Sequence, residues 1–581
     1  MAALKAARRL DPPRLRIIGL AVLMSAVWIG MGFRLFTVQV VHAAEYTQQG
    51  IDQRVREEKL QPTRGRILDR NGDPLALSID GVTLYAVPQE LDDPVWVAQQ
   101  VAILTGANVD RLRSGLADAI ADGTGFVYLA RQLDPEVAQA VIDADIGGVY
   151  SVKEPKRMYP TGQVGAQVVG VADIDGNGLE GLERVYDDVL VGTAGRLLYE
   201  RGARGGPNIP QGPVEKIPAI PGDDLVTTID TPLQFAATEA CQKAVDTTGA
   251  ASCWVVAYQP ETGEILALTG VPSYDPVART VVGGGTFSNA VVREQYEPGS
   301  TQKLITLAAA LETGAVDLDT VIGNVGDKIE INEGACRSDD DDIRGCFGDS
   351  EKHETRDMTV QEIFTRSSNV GTIKIASLLP EGAIDLYMQR FGYGRPTGVD
   401  FNGEASGQIS VDPSCSTCLA SAAIGYSVAV TPLQLAAAYG AVANDGVWVE
   451  PHLVSDVGGD RVDVESKQVI SENTARVLRI LLEKVVEEGT GTEAQVSGYT
   501  VGGKTGTSSK LLPDGTYADD DNIASFVGMA PIDDPKVVVA VVLDSPDFSL
   551  RFGGLAAAPV FSEVMQTALQ RMGVTPDAVP G

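Results

Sequence analysis

The chain begins with a basic stretch, Lys5, Arg8, Arg9, Arg14 and Arg16, and then turns apolar from Ile17 to Phe33. A helix of that length is just long enough to cross the hydrocarbon core of a bilayer. The run also exceeds the ~7–15 residues of a signal-peptide core. It therefore predicts an uncleaved anchor over 17–41 rather than a leader cut near Val41-His42-Ala43. Positive charge on the N-terminal side of the run predicts a cytoplasmic tail over 1–16 and a body outside the cell.

From 42 to 221, short β-like runs alternate with Gly-rich and charged stretches, and no residue stands out as a nucleophile. Beyond Gly222 the pattern mixes helices with antiparallel strand pairs. Ala251 to Tyr258 and Glu264 to Leu268 are apolar and β-branched, and Gln259-Pro260-Glu261-Thr262-Gly263 between them is a hairpin signal. Ser525 to Ala530 and Val537 to Leu543 predict a second pair, and Pro559 to Met572 a closing helix. Further helices are predicted over Thr231 to Val245, Leu433 to Ala443 and Glu472 to Glu488, the last two as amphipathic covers for a core. One antiparallel sheet flanked by helices follows, an α/β (α+β) class.

Among 581 residues the net charge of -32 opposes binding to phosphate backbones. The basic run Arg64 to Gly72 accordingly reads as domain packing and not as a nucleic-acid patch. Six cysteines in an extracytoplasmic chain invite disulfides. Cys336 and Cys346 bracket an acidic stretch that includes Asp339 to Asp342, and they read as the closure of a surface loop. Cys415 with Cys418 and Cys241 with Cys253 could form two more local bridges, although sequence alone leaves the connectivity open. Zinc at Cys415-x-x-Cys418 is disfavoured, since only His42, His353 and His452 are available and no second Cys-x-x-Cys occurs. The acidic stretch lacks the Gly and terminal Glu spacing of an EF-hand. No metal and no cofactor are called for.

Three short motifs carry the chemistry: Ser300-Thr301-Gln302-Lys303, Ser367-Ser368-Asn369 and Lys504-Thr505-Gly506-Thr507. Each alone is weak, and their order along one chain is what has weight. Tyr296-Glu297-Pro298-Gly299 breaks the chain before an apolar helix over Thr301 to Leu311, so Ser300 is expected at a helix N-terminus with Lys303 on the same face. That spacing brings an amine to the hydroxyl it must deprotonate. After a helix over Thr359 to Arg366, Ser367 can relay a proton and the Asn369 amide can orient Lys303 and a substrate amide. In the third motif, small residues let a substrate backbone lie alongside a strand, ahead of a polar loop over Ser508 to Asp520. Lys504 supplies positive charge for a carboxylate or for keeping Lys303 neutral. The N–H groups of Ser300 and Thr507 form the natural oxyanion hole.

With these motifs in hand, the chain resembles the class B penicillin-binding proteins, and within them the division-type (FtsI-like) transpeptidases. The resemblance extends to Arg64-Gly65-Arg66-Ile67-Leu68-Asp69-Arg70-Asn71-Gly72, Arg157-Met158-Tyr159-Pro160 and Gly178-Leu179-Glu180-Gly181-Leu182-Glu183. Farther on it includes Pro260 to Ala267, Thr431-Pro432-Leu433-Gln434-Leu435-Ala436 and Ser525 to Pro531. It implies a penicillin-binding transpeptidase fold over 222–572, a tail over 573–581, and an elongated, non-catalytic pedestal of the dimerisation type over 42–221. The stretch between Cys336 and Cys346 lies where the family usually has a shorter connection.

The implied reaction is transfer of a peptidoglycan stem peptide from D-Ala-D-Ala to Ser300 and then to a neighbouring amine, with β-lactams as mimics of the donor. The implied partners are a membrane glycosyltransferase and division proteins, met through Ile17 to Val41 and the pedestal. A β-lactamase is disfavoured because no Glu-x-x-Leu-Asn occurs between Asn369 and Lys504. A bifunctional enzyme would need a glycosyltransferase domain, for which 42–221 is short. An elongation-type transpeptidase and a β-lactam sensor or scaffold are the competing readings.

Overall fold

The computed structural model describes residues 12–200, 215–282, 284–337, 345–412, 414–512 and 516–578. The acidic stretch Asp339 to Asp342 therefore lies outside the described residues. The chain divides into two compact units, one built from Met1–Pro62 and Thr193–Ile220, the other from Thr63–Gly192 and Pro221–Gly581.

In the first unit, helix α1 (Pro12–Phe36) continues into a π-helical turn, Thr37–Val41. The stretch Pro13–Val41 is long and apolar enough to cross a membrane, and large side chains such as Trp28 and Ile29 lie exposed along it. A three-stranded antiparallel sheet pairs Val55–Leu60 with Gly195–Glu200 and the latter with Glu215–Ile217.

The second unit opens with strands of two smaller sheets, one of which also takes in strands from farther along the chain. In one, Val82–Ala86 lies between Val127–Leu133 and Val149–Lys153. Three helices, Pro94–Thr105, Val109–Ala121 and Pro135–Asp143, share a small apolar core with it. In the other, Ile67–Leu68 pairs in parallel with Leu225–Thr227, which also pairs with Val454–Val457. Arg64 and Arg157, from two of the family-type motifs, converge on the fully buried Glu183 of a third. Arg64 Nε donates to Glu183 Oε2 at 2.6 Å and Arg157 Nε to Oε1 at 2.7 Å. Glu183 is thereby paired twice, which is what a buried charge needs. The basic run around Arg64 is structural at this point.

The catalytic region contains α2 (Thr231–Thr248), β1 (Ser252–Tyr258), β2 (Ile265–Val271), α3 (Lys303–Glu312), β3 (Lys328–Glu330), β4 (Cys346–Gly348), α4 (Val360–Thr365), α5 (Asn369–Ala376), α6 (Pro432–Ala443), α7 (Glu472–Glu487), β5 (Gly502–Leu511), β6 (Tyr517–Ala530), β7 (Val537–Asp544) and α8 (Ala558–Arg571). Its central sheet is antiparallel throughout, in the order β2-β1-β7-β6-β5. Successive β1 residues serve opposite faces. Trp254, Val256 and Tyr258 join a core with α3 and α6, while Cys253, Val255 and Ala257 join one with α2 and α8. Burial on both faces explains why these strands read as continuous apolar runs.

Two sequence expectations are corrected. Leu433 to Ala443 is no amphipathic cover, because every residue of α6 is buried. A helix packed on all sides needs no polar stripe. Ser508 to Asp520 is not simply a loop either, since β5 continues to Leu511 and β6 starts at Tyr517, with Leu511 opposite Tyr517. The other strands and helices fall close to their expected ranges. All three cysteine pairs are bridged, Cys241–Cys253, Cys336–Cys346 and Cys415–Cys418, with Cα separations of 5.5, 4.9 and 5.4 Å.

Candidate active site

Ser300 lies in a 3₁₀ turn, Gly299–Gln302, and α3 begins only at Lys303. The expected position at an α-helix N-terminus is thus off by one tight turn, because the chain must first swing past β5. Gly299 makes that swing possible. Its φ is +55°, and a Cβ there would stand 2.6 Å from the Thr507 carbonyl oxygen. Its N–H donates to Gly425 O at 3.1 Å, and the Tyr439 hydroxyl of α6 donates to Thr301 O at 2.9 Å. Ser300 stays partly exposed, whereas Thr301, Gln302 and Lys303 are fully buried.

Lys303 points its amine at the second motif. Nζ donates to the Ser367 carbonyl at 2.6 Å and to Asn369 Oδ1 at 2.7 Å, and it lies 3.3 Å from Ser367 Oγ. Ser367 closes the turn after α4 with φ +57°, a left-handed conformation that costs a non-glycine residue about 1 kcal/mol. That conformation lets one residue offer both its carbonyl and its hydroxyl to Lys303. Ser368 caps α5 by accepting from the Gly371 N–H at 2.9 Å, which leaves Asn369 as the first helical residue.

Lys504, on β5, donates to Ser367 Oγ at 2.8 Å. The Ser367 hydroxyl therefore lies between two amines that are both fully buried. Burial pushes the Lys303 ammonium down to about 7, against an upward pull from Asp349. Lys504 is held well below the usual lysine range by burial and then by repulsion from Lys303. Two ammonium groups this close and this dry do not both stay charged, so the site has a neutral amine available near neutral pH.

The third motif alternates as a strand must. Lys504, Gly506 and Ser508 face the side of the strand on which the Ser300 turn lies. A Cβ on Gly506 would lie 2.8 Å from Pro298 O, and Ser508 Oγ donates to Glu297 O at 2.7 Å. Thr505 and Thr507 turn the other way, Thr505 bonding Thr490 through their hydroxyls at 2.7 Å and Thr507 Oγ1 accepting the Gly553 N–H at 3.2 Å. Of the expected residues, Lys303, Ser367, Asn369 and Lys504 form one hydrogen-bonded cluster. Gly506 brings the strand against the Ser300 turn, and Thr505 and Thr507 brace its far side. Among the described residues β5 is the last strand of its sheet, so one row of backbone groups remains for an extended ligand. Sequence reasoning missed Gly425 and Tyr439, which seat the Ser300 turn, and Asp349, which reaches the second motif from 19 residues upstream of Ser368. Nothing in their local spacing marks them.

A partly exposed serine one turn before a buried amine, a second hydroxyl held between two amines and a strand edge fit a site for acyl transfer. Residues 253–566 match the penicillin binding protein transpeptidase domain, and residues 59–227 match the penicillin-binding protein dimerisation domain. The chain belongs to the class B penicillin-binding proteins. Relatives of this penicillin-binding protein include stage V sporulation protein D of Bacillus subtilis, 33% identical over 97% of this chain and 86% of the relative. Penicillin-binding protein PbpB of Mycolicibacterium smegmatis is 34% identical over 98% of this chain and 92% of the relative. Peptidoglycan D,D-transpeptidase FtsI of Escherichia coli is 30% identical over 96% and 92%. Among solved structures, penicillin binding protein 3 of Mycobacterium tuberculosis, complexed with aztreonam, superposes with a TM-score of 0.67 at 27% identity, covering 90% of this chain and 98% of that one.

Proposed function

We propose that the protein, a peptidoglycan D,D-transpeptidase and penicillin target, cross-links stem peptides at the division septum through an acyl-enzyme on Ser300. The carrying observation is the Ser367 hydroxyl held between the buried amines of Lys303 and Lys504. Neutral Lys303 accepts the Ser300 proton as the hydroxyl oxygen attacks the penultimate D-Ala carbonyl. Its two hydrogens are already directed to Ser367 O and Asn369 Oδ1, so its lone pair is free for that proton.

The N–H groups of Ser300 and Thr507 stabilise the oxyanion. The proton passes through Ser367 to the departing D-Ala amine, and the C–N bond breaks. An amine from a second stem peptide then attacks the ester, gives up its proton along the same path, and releases Ser300 with a new amide bond. Lys504, held below its usual range by burial and by Lys303, supplies positive charge for an arriving substrate carboxylate, and Thr505-Gly506-Thr507 pairs with the donor backbone. β-Lactams enter as the donor does.

The apolar helix serves as a single-pass anchor with 1–16 in the cytoplasm and the catalytic region outside, as the flanking arginines favour. The domain limits are those of the sequence reading, with 42–221 as pedestal and 222–572 as transpeptidase. A membrane glycosyltransferase supplies the glycan strand, meeting the anchor and pedestal. Support for septal work is the likeness to division-type members across the chain. Labelled penicillin tests the chemistry: a long-lived label is expected on wild type and none on Ser300→Ala, with loss of cross-linking of a stem-peptide substrate in the same variant. Depletion in cells tests the role, filaments being expected and rounded cells overturning the septal assignment.

A further inference from the structure

Asp349 stands at the foot of the second motif and takes no part in the chemistry above. It follows directly on β4, which pairs with β3 from Lys328↔Gly348 to Glu330↔Cys346 and is tied down by the Cys336–Cys346 bridge. Its own N–H donates to Asp327 O at 2.9 Å. Its side chain is only 8% exposed. Oδ2 accepts from the Ser368 hydroxyl at 2.7 Å and lies 3.0 Å from His353 Nε2, while Oδ1 accepts from the Val370 N–H at 3.0 Å. One residue earlier, Gly348 O accepts from Asn369 Nδ2 at 2.7 Å.

Residues 348 and 349 thus grip Ser368, Asn369 and Val370 in succession. An amide that gives its NH₂ to Gly348 must turn its oxygen the other way, and Asn369 Oδ1 is what Lys303 Nζ leans on. We infer that Asp349, clamped by His353, is a positioning residue of the transpeptidase, holding the second motif so that Asn369 and Ser367 meet the amine of Lys303. The inference rests on the roles proposed above for Lys303 and Asn369.

Charge supports the geometry. The Asp349 carboxylate is the group whose pull favours the ammonium form of Lys303 against burial. Hydrogen bonding to Asp349 raises the His353 imidazole, so the clamp strengthens as His353 gains its proton. The charged groups around the carboxylate are His353, Glu351, Arg356 and Arg366, which line a cavity of about 80 Å³ with it, Asp327 beyond His353, and Lys303 with Lys504 on the site side. A position merely needed for folding would not move the protonation of Lys303.

The test is the acylation rate of the full-length protein in detergent with a fluorescent penicillin, followed across pH and paired with thermal unfolding. Asp349→Asn keeps the shape and removes the charge. Acylation is expected to slow by as much as ~10²-fold, as for a misplaced catalytic group, and the acid limb to move to lower pH because Lys303 loses its proton more readily. His353→Gln, which leaves the carboxylate in place, is expected to slow acylation by a smaller factor, and it decides the matter if Asp349→Asn does not fold. A wild-type rate at every pH in either variant overturns the inference, as does a slowed Asp349→Asn whose acid limb has not moved. Ser300→Ala in parallel separates the two levels. Label persisting there removes the nucleophile assignment and this inference with it, whereas an unchanged Asp349→Asn profile removes Asp349 alone.

Discussion

In the proposed mechanism Lys303 has to be uncharged to act as a base, and burial at its place in the fold favours this before any substrate arrives. With burial pushing its pKa to about 7, protonated Lys303 predominates below that pH and cannot accept the Ser300 proton. Acylation is therefore expected to rise through pH 7 along an acid limb and to level off above it, as measured by the rate of label incorporation. Lys303→Arg, always charged, is expected to lose the ~10²–10⁴-fold that a positioned base supplies. Ser367 allows two of its properties to be separated. Glycine relieves the left-handed backbone and alanine does not, so Ser367→Gly is expected to be about 1 kcal/mol more stable than Ser367→Ala in denaturant unfolding. Both lose the relay hydroxyl and both keep the carbonyl for Lys303, so both should acylate slowly. These residues were legible because three spaced motifs announce them, whereas Asp349 was not. Its contact depends on a hairpin folding back across 19 residues, and nothing local in the sequence encodes that.

Elements that meet the core on both faces were legible in existence and blurred in character. β1 and β7 stood out as apolar, β-branched runs, while α6 was taken for an amphipathic cover because a wholly apolar helix carries no period by which to tell one face from all. The far end of the β5–β6 hairpin was taken for a loop for the opposite reason, since its polar residues extend beyond the core and lack the alternation that marks a strand. The turn that seats Ser300 belongs to this scale as well. Gly299→Ala places a methyl 2.6 Å from the Thr507 carbonyl in a conformation alanine resists. It is expected to push the Ser300 turn off β5 and slow acylation by about 10²-fold with only a modest loss of stability. A loss of stability without a loss of rate would contradict the seating role.

At the scale of the molecule, buried ion pairs hold together segments that are far apart in sequence, while the disulfides close local loops between cysteines 12, 10 and 3 residues apart. Glu183→Ala leaves Arg64 and Arg157 buried without their shared partner, and unfolding is expected to become easier by about 3–5 kcal/mol. All six cysteines are paired, so thiol titration of the denatured, unreduced protein is expected to find no free thiol. Free thiols there would contradict the bridges. The three motifs and the anchor could be read before folding, but the convergence of Arg64, Arg157 and Glu183 from positions up to 119 residues apart could not, because single-sequence patterns carry no record of distance in space.

β5 closes its sheet, and among the described residues no strand neighbours its outer row of amide and carbonyl groups. An extended peptide mimic spaced to those groups could occupy the cleft while making no bond to Ser300. Such a compound would compete with penicillin and yet wash out, and hydrolysis of a four-membered lactam ring would offer the cell no protection from it.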